Sequence, residues 1–180
     1  MECPRPDKSD MQILAKRAAE LAKPFKSLAH IHNQIQESLN LLVFHLGPEA
    51  YAIDANQVLE VVPTEALTPL PSLPPYIVGV LPVRGMIWSI VDLRIFFNIP
   101  RRGISDHPRA ILVETDSLRF GILTDSTLDI VQRESLSPPP EITEKIPRNV
   151  VRGMLDEMTV VLDLNILAQD PNMIVDDADS

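Results

Sequence analysis

Two oppositely charged residues stand within apolar stretches of this chain, and their chemistry is the first question that the sequence raises. Arg84 lies in "GVLPVRGMIWSIVDL", residues 79–93, where Gly85 follows it and apolar residues flank both. Glu60 lies in the apolar segment "VLEVV", residues 58–62. A charged group inside an apolar strand needs a partner or a solvent-exposed edge. Because a carboxylate can hold a planar guanidinium in one orientation, we predict that Glu60 and Arg84 form an ion pair at a cleft.

Two aspartates lie at equivalent places, each directly after an apolar strand. Asp92 is in "IVDLRIFF", residues 90–97, and Asp163 is in "VLDLNIL", residues 161–167. An aspartate in this position can accept backbone N–H bonds and cap a helical turn. Since the position is duplicated, we predict a structural capping role for both residues rather than a catalytic pair.

The other residues with chemical potential lack the spacing of a catalytic or metal site. The four histidines show no metal-ligand spacing, and the single cysteine, Cys3, lies in a polar leader without a positioned base. The six glycines are scattered and form no phosphate-binding loop, and no serine lies in a nucleophile elbow. The sequence therefore predicts no enzyme activity, no catalytic residue, no metal and no cofactor.

Composition limits the partners and the compartment. The chain has 180 residues, 45% of them hydrophobic, and a formal net charge of −9, which argues against nucleic acid or an anionic membrane as the main partner. No apolar run approaches the roughly 20 residues that span a bilayer, and the first ten residues contain no apolar signal core. We therefore expect a cytoplasmic protein without direct membrane insertion.

An internal repeat predicts the architecture. From Leu41 the hydrophobic period is two, as in strands. The segment "YAIDANQVLEVV", residues 51–62, matches "FGILTDSTLDIV", residues 120–131, with each residue 69 positions before its counterpart. Two units of roughly 60–70 residues with about five short strands each indicate a mostly β fold of two small five-stranded barrels in tandem. Each unit alone is near the size at which a core becomes marginal, so we expect a shared core and a binding cleft between the halves.

The predicted boundaries follow from these patterns. Residues 1–40 form an N-terminal helical extension, because apolar residues recur there at steps of three and four. Its helices would pack on the domain or on a second copy, and a dedicated partner helix is the alternative. The β domain covers residues 41–168, with a first half of about 41–105 and a second half of about 106–168. Residues 169–180 form an acidic tail.

One correspondence between the repeats stays open at this point. The tetrapeptide "VRGM" occurs twice, and Gly153 in the second copy could match either Gly85 or Gly79. The second copy has "LDEM" where the first has its arginine loop. We therefore do not expect Arg152 to be equivalent to Arg84.

From about Leu41 to Leu167 the chain resembles the CheW-like domain, the coupling module of bacterial chemotaxis. The matching pieces are "LVFHLGPEAYAI" with "VLEVV", "PPYIVGVLPVRGMIWSIVDLRIFFNIP", "RAILVETDSLRFGILTDSTLDIV" and "VVLDLNIL", of which the second is the most specific. The family fold, two small five-stranded barrels around a shared core, agrees with the repeat. The resemblance implies a non-enzymatic adaptor that bridges the cytoplasmic tip of chemoreceptors to the regulatory domain of a CheA-type histidine kinase.

The resemblance also implies roles for individual residues. Arg84 and Gly85 match the arginine–glycine motif that borders the receptor-binding surface of the family, and Glu60 matches the acid that supports the arginine. Val58, which we place two residues earlier on the same strand face as Glu60, matches an apolar position lining the groove.

Two positions depart from the family pattern. Pro82 stands where the family usually has asparagine, and Ser89 stands where it often has proline. Together with the N-terminal section, these departures suggest a specialised chemotaxis-like pathway, such as pilus motility or phototaxis. The alternative function, from a different class, is a regulatory protein that binds a small ligand in the cleft.

Overall fold

The computed structural model describes residues 38–100, 107–125, 129–139 and 146–173. The predicted helical extension lies outside these ranges except for its last three residues, and Leu39 and Asn40 already belong to the first strand. Ten strands and two single-turn helices are the main elements of the described residues: β1 Leu39–Leu46, β2 Glu49–Asp54, β3 Val58–Pro63, β4 Ile77–Val83, β5 Met86–Val91, α1 Leu93–Phe96, β6 Arg109–Glu114, β7 Arg119–Thr124, β8 Asp129–Arg133, β9 Val151–Met154, β10 Thr159–Leu162 and α2 Leu164–Leu167. Within these ranges, no helix is long and apolar enough to cross a membrane.

The strands form two five-stranded sheets, as the repeat predicts. One sheet has the order β8-β1-β2-β10-β9 and the other has the order β3-β6-β7-β5-β4. Exchanging each strand of the first repeat (β1–β5) with its counterpart in the second (β6–β10) converts one order into the other, so the sheets are related by an internal pseudo-two-fold. Each sheet takes two strands from one repeat and three from the other. The division of the chain near residue 105 therefore separates the repeats but does not separate the sheets.

In each sheet, one isolated bridge joins the segment that follows one edge strand to the other edge strand and closes the sheet towards a barrel. Thr68, beyond β3, pairs with Val80 of β4, and Ser137, beyond β8, pairs with Met154 of β9. These closures need glycine beside them: a Cβ on Gly79 would collide with the Thr68 carbonyl oxygen, and a Cβ on Gly153 would lie 2.9 Å from the Ser137 carbonyl oxygen.

The glycines at these closures settle the open correspondence between the repeats. Gly153 is the counterpart of Gly79, because both allow the close crossing of the segment that closes the barrel. Gly85 instead lies in a hairpin turn after β4. Arg152 is a residue of β9, not of a turn, so it is not equivalent to Arg84, as predicted.

The main hydrophobic core lies between the two sheets and is shared by them, as expected. It includes Phe44 and Tyr51 from the first sheet and Ile111, Phe120 and Ile122 from the second, all of them at most 2% exposed. A smaller core fills the interior of each barrel. Because neither small core has more than six fully buried members, the shared layer carries most of the burial that holds the two halves together.

The chain after α2 belongs to the domain rather than to an acidic tail. Pro171–Met173 form a 3₁₀ turn, and Met173 is buried in the main core. The Tyr76 hydroxyl donates a hydrogen bond to the Asn172 carbonyl oxygen. The predicted tail boundary at residue 169 is therefore wrong for residues 169–173, because burial of the Met173 side chain anchors this segment.

Candidate functional site

A two-residue turn presents Arg84 at the tip of the β4–β5 hairpin. Val83 and Met86 form the last strand pair, and Arg84 and Gly85 connect them with φ values of 49° and 80°. Positive φ at both central residues is the geometry of a type I′ turn. A Cβ on Gly85 would meet nothing within 4 Å, so glycine serves the backbone conformation and not the packing. A left-handed conformation costs an L-residue such as arginine roughly 1–2 kcal/mol, so folding alone does not favour arginine here.

The predicted ion pair between Arg84 and Glu60 is present. Arg84 Nη2 lies 3.0 Å from Glu60 Oε1, with side chains 79% and 35% exposed. The pair lies at the hairpin tip, and neither residue lines the polar cleft where the two halves meet, so the predicted location at that cleft is not observed. The other guanidinium donors of Arg84 have no partner among the described residues. Since an exposed pair contributes at most about 1 kcal/mol, its main effect is to orient the guanidinium.

Several residues next to this ion pair in the sequence have exposed apolar side chains. Leu59, next to Glu60, is 51% exposed, and Met86 and Ile87, which follow the turn, are 48% and 77% exposed. Pro82 lies opposite Ile87 in the hairpin and is also exposed. It is tolerated there because β4 is the last strand of its sheet. We call Leu59, Glu60, Pro82, Arg84, Met86 and Ile87 the hairpin-tip surface.

The structure corrects the expectation that Val58 and Glu60 share a strand face. Val58 pairs with Val113 but Glu60 pairs with Leu112, because a β-bulge at Leu59 shifts the register between them. Adjacent residues of β6 point to opposite faces, and so do Val58 and Glu60. Val58 packs half-buried against the main core. The exposed apolar neighbour of Glu60 is Leu59, which the sequence pattern did not single out.

Asp92 and Asp163 cap the two short helices, as predicted. Asp92 Oδ1 accepts a hydrogen bond from the backbone N–H of Arg94 at 3.0 Å. Asp163 Oδ1 accepts bonds from the backbone N–H groups of Asn165 and Ile166 at 3.0 and 3.1 Å. Both aspartates therefore satisfy helix donors that lack intrahelical partners.

Sequence reasoning missed a buried ion cluster centred on Arg94. Its Nε and Nη2 donate to the two carboxylate oxygens of Asp92 at 2.8 and 3.0 Å, and its Nη1 lies 2.6 Å from Asp125 Oδ2. Asp125 also accepts the backbone N–H of Gly47, in the β1–β2 turn, so the cluster ties the two sheets together. The signal was available, since Arg94 stands between Leu93 and Ile95 and needs a partner for the reason already applied to Arg84.

The charge state of Arg94 follows from these contacts. Burial by itself would lower the pKa of Arg94, but the hydrogen bonds that Arg94 donates to the carboxylates of Asp92 and Asp125 more than offset this and raise the pKa above its ordinary value. Arg94 is therefore a fixed cation, and its cluster is structural rather than a proton-transfer site.

A polar cleft of about 720 Å³ lies where the two halves meet. Its lining residues are Asp54, Asn56, Gln57, Glu114, Thr115, Asp116, Arg152, Leu162, Asp163 and Asn165. Asn165 lies at its centre: its Oδ1 accepts from Gln57 Nε2 at 3.1 Å and from the backbone N–H of Asp116 at 3.2 Å. In the described part of the chain, no three His, Cys, Asp or Glu side chains are grouped to hold a metal ion.

Comparison with known proteins agrees with this geometry. The model of the family "CheW-like domain" matches residues 40–172. The chain is 29% identical to the chemotaxis protein CheW of Bacillus subtilis over 62% of this chain and 73% of that protein. It is 28% identical to the protein FrzA of Myxococcus xanthus over 59% of this chain and 68% of that protein.

A solved structure shows the same fold. The scaffolding protein TtCheW from Thermoanaerobacter tengcongensis superposes with a TM-score of 0.65 at 31% identity, and the match covers 75% of this chain and 95% of that one. The family model spans most of the chain, and its range coincides with the two closed sheets and the 3₁₀ turn that follows them. This chain therefore belongs to the CheW-like domain family.

Proposed function

We propose that this chain is a non-enzymatic signalling adaptor that couples chemoreceptors to a CheA-type histidine kinase in a chemotaxis-like pathway, which includes pilus motility and phototaxis. Its partners are the regulatory domain of the kinase and the cytoplasmic tip of the receptor, so the protein acts in the cytoplasm. The observation that carries the proposal is the hairpin-tip surface, where a cation is held in one orientation beside uncovered apolar side chains, in a domain of the CheW-like family.

The energetics of Arg84 support recognition rather than stability. Its left-handed backbone costs roughly 1–2 kcal/mol, and its exposed pair with Glu60 returns at most about 1 kcal/mol. Folding alone therefore gives no reason for an arginine at this turn. A partner carboxylate that bonds to the unused guanidinium donors gives such a reason, because charge-assisted bonds to arginine are strong and directional.

The apolar residues supply the second component of a binding surface. Leu59, Met86 and Ile87 are exposed where a soluble monomer gains nothing from them. Burial of apolar area next to an oriented arginine is typical of interface hot spots. We propose that this surface contacts the receptor tip, through a carboxylate facing Arg84 and apolar side chains facing Ile87. Glu60 and Gly85 act by positioning Arg84, and Val58 supports β3 from the core side.

Two titrations with the full chain test this function. The first measures binding to the regulatory domain of a CheA-type kinase from the same cell, and the second measures binding to a receptor-tip fragment, both by calorimetry. We expect saturable binding in both. Arg84→Ala should weaken receptor binding by roughly 30-fold, the effect of a hot-spot loss of about 2 kcal/mol.

A matched control separates recognition from general surface charge. Arg133 is likewise exposed but lies on β8, in the other five-stranded sheet. Arg133→Ala should leave receptor affinity unchanged. Failure of the wild-type chain to bind the kinase domain would remove the coupling role. Equal effects of the two alanine variants would remove the assignment of Arg84.

A further inference from the structure

The internal pseudo-two-fold relates the Arg94 cluster to the large polar cleft in the other half of the domain. Asp163 corresponds to Asp92, and Asn165, two residues later, corresponds to Arg94. The two aspartates cap their helices in the same way, with N-cap φ values of −94° for Asp92 and −93° for Asp163. The two sites thus share a backbone frame and differ in the side chain that occupies it.

In one half the frame is filled by a guanidinium of the chain itself. Both carboxylate oxygens of Asp92 accept bonds from the Arg94 side chain, and the Asp92 side chain is completely buried. In the other half Asn165 is shorter and uncharged, and the cleft of about 720 Å³ remains open. Asp163 uses only Oδ1, for its helix cap, and its Oδ2 has no hydrogen-bond partner among the described residues.

The charges of the cleft leave two carboxylates available. Asp54 is paired with Arg152 at 3.2 Å, and Glu114 is paired with Arg119. The carboxylates of Asp116 and Asp163, by contrast, have no cationic partner in the described part of the chain.

Asn165 is hydrogen-bonded to both of these residues. Its backbone N–H bonds to Asp163, and its Oδ1 accepts the backbone N–H of Asp116. Asn56 stands where the other half has Asp125, so the second acceptor comes from Asp116 on the neighbouring turn. Asp163 thus repeats the position of Asp92, and Asp116 adds a second carboxylate to the lining of the cleft.

We propose that this cleft binds the guanidinium of an arginine side chain presented by a partner protein, with Asp163 and Asp116 as its acceptors. The evidence beyond the acidic lining is the twin site, where the same frame holds a guanidinium through two carboxylates. The source is a protein rather than free arginine, because four acidic side chains and a single cation, Arg152, line the described cleft and together repel an α-carboxylate. The proposal does not depend on the hairpin-tip surface.

Solution NMR of the ¹⁵N-labelled full chain tests the proposal, with N-acetyl-L-arginine amide as the probe. The backbone N–H of Asp116 and the side-chain amide of Gln57 are the reporters, since both donate to Asn165 within the cleft. We expect saturable shifts of these two signals. The lysine analogue should bind at least tenfold more weakly, because an ammonium cannot bridge two carboxylates in a planar fork. Free L-arginine should also bind more weakly than the amide.

Two variants and a control make the test specific. Asn165→Arg should fill the cleft with its own guanidinium, as Arg94 does in the twin site, and abolish the probe-induced shifts. Asp163→Asn keeps a cap acceptor but removes the charge, and should weaken probe binding at least tenfold. Gln132→Arg adds the same charge on β8, outside the cleft, and should leave probe binding unchanged.

Three results would overturn the proposal. The first is a wild-type chain whose reporters do not shift up to about 100 mM probe, a concentration that covers affinities down to about 1.4 kcal/mol. The second is equal probe binding by Asp163→Asn and wild type. This comparison remains a valid test even if Asn165→Arg does not fold. The third, tighter binding of free L-arginine than of the amide, would replace the protein partner with a small-molecule ligand.

Discussion

The buried Arg94 cluster offers a test of how the two sheets are held together. Arg94→Met keeps an unbranched apolar stem but removes the guanidinium and its charge. Asp92, completely buried, and Asp125, whose side chain is 15% exposed, would then lose their shared counter-charge. Removing one partner of a buried ion pair leaves an uncompensated charge, which costs roughly 3–5 kcal/mol.

The contacts of Arg94 place the expected loss in the free energy of unfolding near the upper end of that range. Arg94 donates through Nε and Nη2 to Asp92 and through Nη1 to Asp125, all within 3.0 Å, so three donors and two carboxylates lose their bonds together. For a domain of this size, 1 kcal/mol corresponds to about 3–5 °C in Tm, so a cost near the upper end of the range predicts a decrease of roughly 12–25 °C.

Denaturant unfolding of the full chain measures this loss. Trp88, the only tryptophan of the chain, is 4% exposed and reports unfolding of the second sheet by fluorescence. The matched control is Arg119→Met, whose pair with Glu114 is exposed and should cost less than about 1 kcal/mol.

A second-site variant gives the sharper refutation. Asp125→Asn alone should destabilise the domain, because it weakens the bond to Arg94. In the Arg94→Met background the same change should stabilise it by about 1–2 kcal/mol, because it removes a largely buried charge that has lost its arginine while an amide oxygen still accepts the Gly47 N–H. If Arg94→Met costs no more than Arg119→Met, or if Asp125→Asn has the same sign in both backgrounds, the cluster does not hold the sheets as we argue.

Three further predictions concern single positions, and each is checked by thermal or chemical unfolding. Gly79→Ala should cost more than 3 kcal/mol, because its Cβ would collide with the Thr68 carbonyl oxygen, whereas Gly85→Ala has open space and should cost only the left-handed strain of about 1–2 kcal/mol. Asp163→Ala should cost roughly 0.5–2 kcal/mol through the lost cap, and an asparagine there should recover most of it; equal stability of the two variants would contradict this. The backbone N–H of Met158 and further bonds from Thr159 lower the pKa of Asp156 below its ordinary 3.8, so its contribution is present above that pH and is lost as pH falls through the lowered pKa. Asp156→Asn should therefore flatten the stability profile below about pH 4, and an unchanged profile would refute the assignment.

Much of the fold was predictable because local patterns repeat. The alternation of apolar residues from Leu41 identifies strands, and the 69-residue repeat predicts two equivalent five-stranded units, both of which the structure shows. Capping by Asp92 and Asp163 was predictable for the same reason, since the donors that a cap satisfies lie within three residues of it. The pairing of Arg84 with Glu60 followed from the cost of a lone charge in an apolar strand.

The wrong predictions concern places where the effect of a single residue is not visible in the local sequence pattern. The bulge at Leu59 turns Val58 to the opposite face from Glu60, and a period of two cannot reveal an inserted residue. The segment at 169–173 was predicted as part of an acidic tail, yet the buried Met173 side chain and the hydrogen bond from Tyr76 to Asn172 attach it to the domain.

The sequence by itself determined which segments form strands, where their helical caps lie, and that one unit occurs twice, because these depend on interactions between near neighbours. Only the tertiary structure decided how the repeats combine. The parallel pairs β2–β10 and β5–β7 each join a strand of one repeat to a strand of the other within one sheet. Arg94 contacts Asp125, which lies 31 positions later in the sequence. Such contacts depend on which distant surfaces bury each other, and no local pattern of residues records that choice.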